Sequence, residues 1–540
     1  MRFLDIEFYM KAFLTKLINS NWFFIALVGF VIVLPLSQAL VSIFGGIIFV
    51  IALFEDSWKN KIQRFKNHSP LLFIPAIFII YLISSLFTGE NGSGWYDIQK
   101  SLFFLVIPMA FIFGKEISNR QRRFVFYAFA FSIFISTIVA LFRWEFIVET
   151  ENFNVHKIGL ISHIRFSFQL ILIIWFFLFL LQNNFTSFKI SVKTGISILI
   201  VYFLSFLFFQ QSLTGIIAFA GSLTFILILF IFKLNRILKI VFFVLLIAIV
   251  TIPILYVSQV VRAFYNVEKV DVNLVEKYTK AGNLYKHDFK SPMVENGNFV
   301  NIYVCEKEMR EAWNKRAEIK YDSIGSNGYI LSSTLIRYLT SKGLRKDAEG
   351  VKALTRQDII NVEGGIANVI YQSRKYSLYP RIYETVWEYY VYTHTGDANY
   401  QSFSQRIEFA KAAISIISEN LWFGVGTGKW KAEFKKVYKE NNPKLKEQLY
   451  ASSHNQYLNY TVKFGIVGFL LILFFLIYPV IKTRSYTDTL FMVFMVFMFF
   501  ANFADSNFES HMGSSFFLFF YSLFLVQNHS NYLKIESTQT

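Results

Sequence analysis

The chain is 540 residues long, 54% hydrophobic and only 16% charged, with 65 phenylalanines and a mean hydropathy of +0.44. Soluble chains carry about 25% charged residues, so this composition excludes a large soluble enzyme and points to a polytopic membrane protein. The net charge of +17 comes with no nucleic-acid motif and is read as topological rather than as a nucleic-acid-binding surface. The single cysteine, Cys305, precludes an internal disulfide.

In chain order, the first 20 residues mix Arg2, Asp5, Glu7, Lys11 and Lys16 with apolar residues and show no small-residue cleavage site, so no cleavable signal peptide is expected. Apolar windows then predict spans at 21–36, 38–54, 70–88, 98–114, 124–142, 163–182, 195–210, 213–232 and 238–258. From Gln259 to Ser453 the composition changes, with 29 Lys and Arg and 22 Asp and Glu. Three more spans are predicted at 457–481, 489–503 and 514–527. The expected fold is an all-α polytopic membrane protein with about twelve transmembrane helices and one large, mostly helical periplasmic loop. Its divisions are an N-terminal transmembrane bundle (1–258), a periplasmic loop domain (259–455), and C-terminal spans with a short cytoplasmic tail (456–540).

Orientation follows from the short loops. The N-terminus, "WKNKIQRFK" at 58–66, "KEISNRQRR" at 115–123, Lys189, Lys193, "KLNRILK" at 233–239, "KTR" at 482–484 and Lys534 supply 19 basic residues to one side. The other side offers Lys100, Arg143 and Lys157, with Arg165 at a span end. The positive-inside rule makes the first set cytoplasmic. Both termini are then inside and the large insert faces outward.

Within the insert, amphipathic helices are predicted at Glu306–Lys320, Ser332–Leu344, Pro380–Tyr392 and Gln405–Glu419, with a more irregular run over Asn266–Val300. The aromatics of "SLYPRIYETVWEYYVYTHTG" either stack on sugar rings or form the core of the insert and its contact with the lipid interface. "GVGTGKW" at 424–430 is not a phosphate loop: Trp430 stands where Ser or Thr is required, and Phe423 where the first glycine belongs. No metal-ligand spacing occurs.

What remains is a set of polar groups at the outer ends of helices. His454, in "ASSHNQYLNYTVKFGIVGFL", directly precedes a span; Arg406 heads a helix-like segment that turns through Gly424, Gly426 and Gly428; Arg165 opens the sixth span. A neutral imidazole accepts a proton near neutral pH, and a guanidinium grips phosphate through two N–H groups. Such a set suits an enzyme acting on a lipid-linked phosphate. The plain alternative is a solvated interfacial histidine with snorkelling arginines.

"SSHNQYLNYTVKFGIVGFL" resembles the His-Asn-x-Tyr-Leu…Gly-x-x-Gly signature of the O-antigen ligase and polymerase superfamily. "QRIEFAKAAISIISENLWFGVGTG" resembles the Arg…Gly-x-Gly-x-Gly segment that precedes it, and "TLIRYLTSKGLRKDAEGV" at 334–351 resembles the loop of Bacteroidetes-type O-antigen ligases. The likeness covers most of the chain in topology and residues 332–470 in detail. It implies a metal-independent, inverting membrane glycosyltransferase without a cofactor. It would transfer an undecaprenyl-diphosphate-linked glycan to a lipid A-core or other acceptor at the periplasmic face of the inner membrane. The same likeness makes His454 the base and Arg406 a diphosphate ligand. Many members carry Ser-Arg-Gly in the outer turn between the seventh and eighth spans, whereas "QQSLTGII" has Leu213-Thr214 and no arginine. Arg165 or Lys429 then supplies the second cation, Arg165 being favoured. An O-antigen ligase is expected. The alternatives are a repeat-unit polymerase and a non-enzymatic transporter; a transporter is disfavoured because the predicted spans are almost free of charge.

Overall fold

The computed structural model describes residues 21–88, 93–146, 158–231, 234–374 and 377–539. The leader reading of residues 1–20 and the topological charges Lys157 and Lys233 fall outside the described residues, as does the side chain of Lys534. Each of the twelve apolar windows coincides with a helix: α1 (Trp22–Val33), α2 (Gln38–Phe54), α3 (Trp58–Asn67, basic), α4 (Phe73–Thr88), α5 (Ser93–Phe113), α6 (Asn119–Phe146), α7 (His163–Asn183), α8 (Ile190–Phe209), α9 (Leu213–Ile231) and α10 (Arg236–Tyr265) lead into the charged segment. That segment holds the two-residue strands β1 (Val294–Glu295) and β2 (Asn298–Phe299), then α11 (Glu306–Asn314), α12 (Leu331–Ser341), α13 (Ala348–Lys352), α14 (Arg356–Glu363), α15 (Ile370–Ser373), α16 (Tyr379–Thr395), α17 (Ser402–Glu419) and α18 (Trp430–Asn441). The chain continues with α19 (Gln456–Lys482), α20 (Thr489–Ala504) and α21 (His511–Gln539).

Among the described residues, eight helices are long and apolar enough to cross a membrane, or nine if α2 and α3, bent by 113°, count as one span. Every predicted span thus falls on a helix, while the number that qualifies as a crossing by length and composition is eight or nine rather than twelve. α1 and α20 have only 12 and 16 residues, short of the roughly 20 a straight crossing needs.

The chain forms two compact units. One comprises Met1–Leu141, His156–Lys233 and Arg406–Thr540; the other, Phe142–Val155 and Leu234–Gln405. The first is a bundle around α7 and α21. Residues Phe166–Phe177 of α7 and Phe516–Leu525 of α21 are buried without a break, and phenylalanines fill the space between helices, as in the stacked pairs Phe30–Phe519 and Phe126–Phe176, both 4.6 Å apart. In a bilayer such packing supplies cohesion that the hydrophobic effect does not.

The second unit has a helical core of Met309, Trp313, Leu335, Tyr338, Leu339 and Val351. The end of α10 joins it through Val260 and Phe264, which pack against Ile382 and Tyr383 of α16. Tyr383 is thus core, while Tyr389 on the same helix is 44% exposed.

Candidate functional site

The polar pentapeptide Ser452–Gln456 builds a rigid lead-in to α19. Asn455 caps the helix, its side chain accepting from the N–H groups of Tyr457 and Leu458. Ser453 Oγ donates to Asn459 Oδ1 at 2.7 Å, and Asn459 Nδ2 donates to Ser506 Oγ at 2.7 Å. Gln456 Oε1 accepts from the Phe508 N–H at 2.8 Å. Held on both sides, His454 takes a left-handed backbone with φ of 50°. Non-glycine residues adopt this conformation only where their surroundings impose it, and such residues cluster at functional sites.

Its side chain, 39% exposed, places Nδ1 3.6 Å from Asp505 Oδ1 and packs its ring on Phe409 at 5.7 Å. Arg165 Nη2 lies 3.6 Å from the other oxygen of Asp505. Arg406, one helical turn before Phe409 on α17, donates from Nη1 to the carbonyl of Ala504. Three residues singled out from sequence therefore converge on one dipeptide, Ala504-Asp505. Burial pushes the Asp505 carboxyl up. The hydrogen-bonding and charge of His454, the Arg165 guanidinium and the Ser506 N–H outweigh it and hold the group below its ordinary value. A carboxylate facing Nδ1 favours the tautomer that carries its proton there and leaves Nε2 as the acceptor.

Asp505 itself escaped sequence reasoning. The available signal was its position in "NFADSNFESH" at 502–511, the turn between the last two predicted spans, whose only acidic residues are Asp505 and Glu509. Lys429, the other candidate cation, is exposed at the N-terminal end of α18, and the structure does not bring it to this dipeptide.

The glycines act one layer below. α19 is broken at Gly465, where φ is 64° and ψ −174°, a combination open essentially to glycine alone. The turn after α17 docks into the break. Val425 and Gly426 donate to the carbonyls of Val462 and Lys463 (2.8 Å each), and Ile466 and Val467 donate to those of Leu421 and Trp422 (2.8 and 3.2 Å). These bonds satisfy backbone groups that an interrupted transmembrane helix would otherwise leave open. Gly424, at φ of 65°, leaves room for this approach, since a Cβ there would lie 2.5 Å from Gly465 N and Val462 O. Gly426 is closed in by Thr88, whose hydroxyl accepts from the N–H of Gly428 at 3.1 Å.

Beside the break, toward the His454 end of α19, sits a buried charge cluster in which Lys463 alone lies within a predicted span, Asp97 and Glu509 standing just outside theirs. Lys463, with its side chain 2% exposed, lies 2.6 Å from Asp97 and 2.7 Å from Glu509. Trp430 Nε1 donates to Asp97 at 2.9 Å and its ring faces Lys463 Nζ at 4.7 Å. A charge is tolerated inside a span when it is paired in this way.

An apolar cavity of about 650 Å³ opens beside the loop. Asn455, Gln456 and Asn502 line its polar end, and Ile472, Leu476 and Met495 its depth along α19 and α20. Among the described residues no group of three or more His, Cys, Asp or Glu is placed to hold a metal ion.

The eight long apolar helices among the described residues support a multi-pass helical membrane protein. Residues 356–473 match the family model described as O-Antigen ligase, and this match supports assigning the chain to the O-antigen ligase family. The matched segment contains Arg406, the glycine turn, His454 and Gly465. The domain supports a ligase- or polymerase-type function in O-antigen biosynthesis. No curated protein matches the chain.

Proposed function

We propose that the chain is an O-antigen ligase of the inner membrane, with both termini cytoplasmic and residues 259–455 periplasmic. It moves a glycan from undecaprenyl diphosphate to a hydroxyl of lipid A-core. The observation that carries this reading is the meeting of His454, Arg165 and Arg406 at Ala504-Asp505, beside a cavity whose lining turns from amides to aliphatic side chains. The aliphatic part suits part of a polyprenyl chain, and its amide end lies next in sequence to His454 and close to Ala504-Asp505.

In this reaction Nε2 of His454 takes the proton of the acceptor hydroxyl as its oxygen bonds to the anomeric carbon. The bond from that carbon to the diphosphate oxygen breaks, the configuration inverts, and undecaprenyl diphosphate leaves with the bonding pair. Asp505 keeps Nδ1 protonated and stabilises the imidazolium that forms. Arg406 and Arg165 face the charge that grows on the leaving group. Arg165 takes the place of the arginine missing after the seventh predicted span. The 210–213 turn supports this, because Ser212 Oγ donates to Ser167 Oγ at 3.3 Å, two residues beyond Arg165.

A His454→Ala strain tests the proposal. The chain should accumulate normally while transfer falls by roughly 10²–10⁴-fold, leaving lipid A-core bare and full-length polymer on undecaprenyl diphosphate. Cores capped with a single repeat would identify a polymerase instead. Unchanged surface glycan, with no redundant enzyme present, would remove His454 from the chemistry.

A further inference from the structure

The opposite end of the same bundle carries a basic cavity that the proposed reaction does not use. α7 starts at His163 beside Arg165 and ends at Asn183; its 21 residues span about 30 Å, so its two ends lie at opposite membrane faces. Around the far end is a cavity of about 440 Å³ lined by Arg122, Arg123, Asn184 and Asp488, with Phe176 and Phe179 forming an apolar wall.

The charges there are unevenly matched. Arg122 Nη1 is buried and has no hydrogen-bond partner among the described residues. The carboxylate facing it, Asp488, keeps its Oδ2 at 3.9 Å, beyond hydrogen-bond distance, while Oδ1 caps α20 by accepting from the N–H groups of Leu490 and Phe491 at 3.0 and 3.2 Å. Two guanidiniums and one carboxylate leave one positive charge over among the lining residues. A buried N–H without a partner is costly, and a guanidinium matches phosphate oxygens in geometry as well as charge.

We propose that this cavity binds the phosphodiester headgroup of an anionic phospholipid in the leaflet opposite the His454 site. The single excess charge matches a phosphodiester monoanion. A diphosphate would bring at least one charge too many. Phe176 is the buried inner part of this wall, and the half-buried Phe179 and Phe230 carry it outward, where an acyl chain belongs and a free anion gains nothing. Basic pockets between helices on the cytoplasmic side are a general means of holding such lipids. The inference does not depend on which transfer reaction the other face performs.

The test is thermal unfolding of the detergent-purified full chain with added phosphatidylglycerol, phosphatidylcholine or inorganic phosphate. Phosphatidylglycerol should raise Tm by several degrees more than phosphatidylcholine, since a ligand that binds only the folded state stabilises it by mass action. Inorganic phosphate should leave Tm unchanged. Arg122→Gln should abolish the phosphatidylglycerol-specific part of the shift. Should that variant not fold, Arg123→Gln, which alters an exposed side chain, should still reduce it by half or more. Equal shifts from the two lipids in the wild type overturn the proposal, as does a phosphatidylglycerol-specific shift that survives Arg123→Gln undiminished. A shift reproduced by inorganic phosphate alone would make this a site for a soluble anion and overturn the lipid assignment.

Discussion

Replacing Gly465 by Ala tests the joint between the glycine turn and the broken helix. A residue with a side chain at φ of 64° and ψ of −174° carries about 1–3 kcal/mol of strain. The added Cβ would also stand 2.3 Å from the carbonyl carbon and oxygen of Trp422 and from Phe423 N. All three are backbone atoms, so no rotamer change relieves the clash and the turn must withdraw. Withdrawal breaks the four backbone hydrogen bonds across the joint, at about 1 kcal/mol net each. The total is about 5–7 kcal/mol, comparable with the whole stability of many domains. Thermal unfolding in detergent and membrane accumulation read the effect. Gly195→Ala is the control: its Cβ meets nothing within 4 Å, and the change should be neutral or stabilising by up to about 1 kcal/mol. Gly424→Ala attacks the same joint from the other side, so the double variant should lose little more than either single one. A Gly465→Ala protein with wild-type Tm, or additive losses in the pair, would refute the docked-turn account.

Asp505→Asn should lower kcat by about 10²–10⁴-fold through the wrong imidazole tautomer and leave donor KM little changed; an in vitro transfer assay giving rates within a few-fold of wild type would acquit Asp505. Arg406→Lys should be poorly tolerated in the same assay, because an ammonium cannot reproduce the fork of the guanidinium; full activity in this variant would argue against a diphosphate contact. Lys463→Met leaves two buried carboxylates unpaired and should cost about 3–5 kcal/mol, whereas the triple change with Asp97→Asn and Glu509→Gln should recover most of it; equal Tm values for wild type and Lys463→Met would dismiss the cluster as a stabilising element. Burial pushes the Glu388 carboxyl up to about 7, against the partial relief of the Phe403 N–H. A raised acid contributes stability that is complete below the ordinary glutamate value of 4.5 and is lost as pH climbs through about 7, here about 3 kcal/mol. Hydrogen exchange of α16, corrected for intrinsic rates, should therefore show less protection at pH 8 than at pH 5, and Glu388→Gln should flatten that slope; an unchanged slope would contradict it.

Positions of helices were legible because an apolar run long enough to matter in lipid has few other outcomes. Sequence also singled out His454, Arg406 and Arg165, which sit in contexts that chemistry and family likeness both mark. Their meeting point was not legible. Asp505 is one acidic residue on a short turn, and nothing local announces that α7, α17 and the lead-in to α19 all end beside it. The Lys463 cluster was hidden for the same reason, its partners lying on α5 and before α21. Composition grouped residues 406–453 with the charged insert, whereas contacts group them with the membrane helices, because charge content reports solvent exposure on one face and says nothing of what the other face packs against. The β1–β2 hairpin fell within a run read as irregular. Its Asn296-Gly297 pair, with φ of 48° and 83°, is a turn signal that two-residue strands were too short to reinforce.

The meeting of three side chains on Ala504-Asp505 has a consequence for how the protein is made. Arg165, Arg406 and His454 all leave the ribosome before Asp505 does, so a nascent or prematurely terminated chain carries the cations and the imidazole without the group that gathers them. Glu509, which completes the Lys463 cluster, comes later still. Under the proposed function, competence comes only at the end of synthesis, and a chain terminated before Asp505 should be inert rather than partly active.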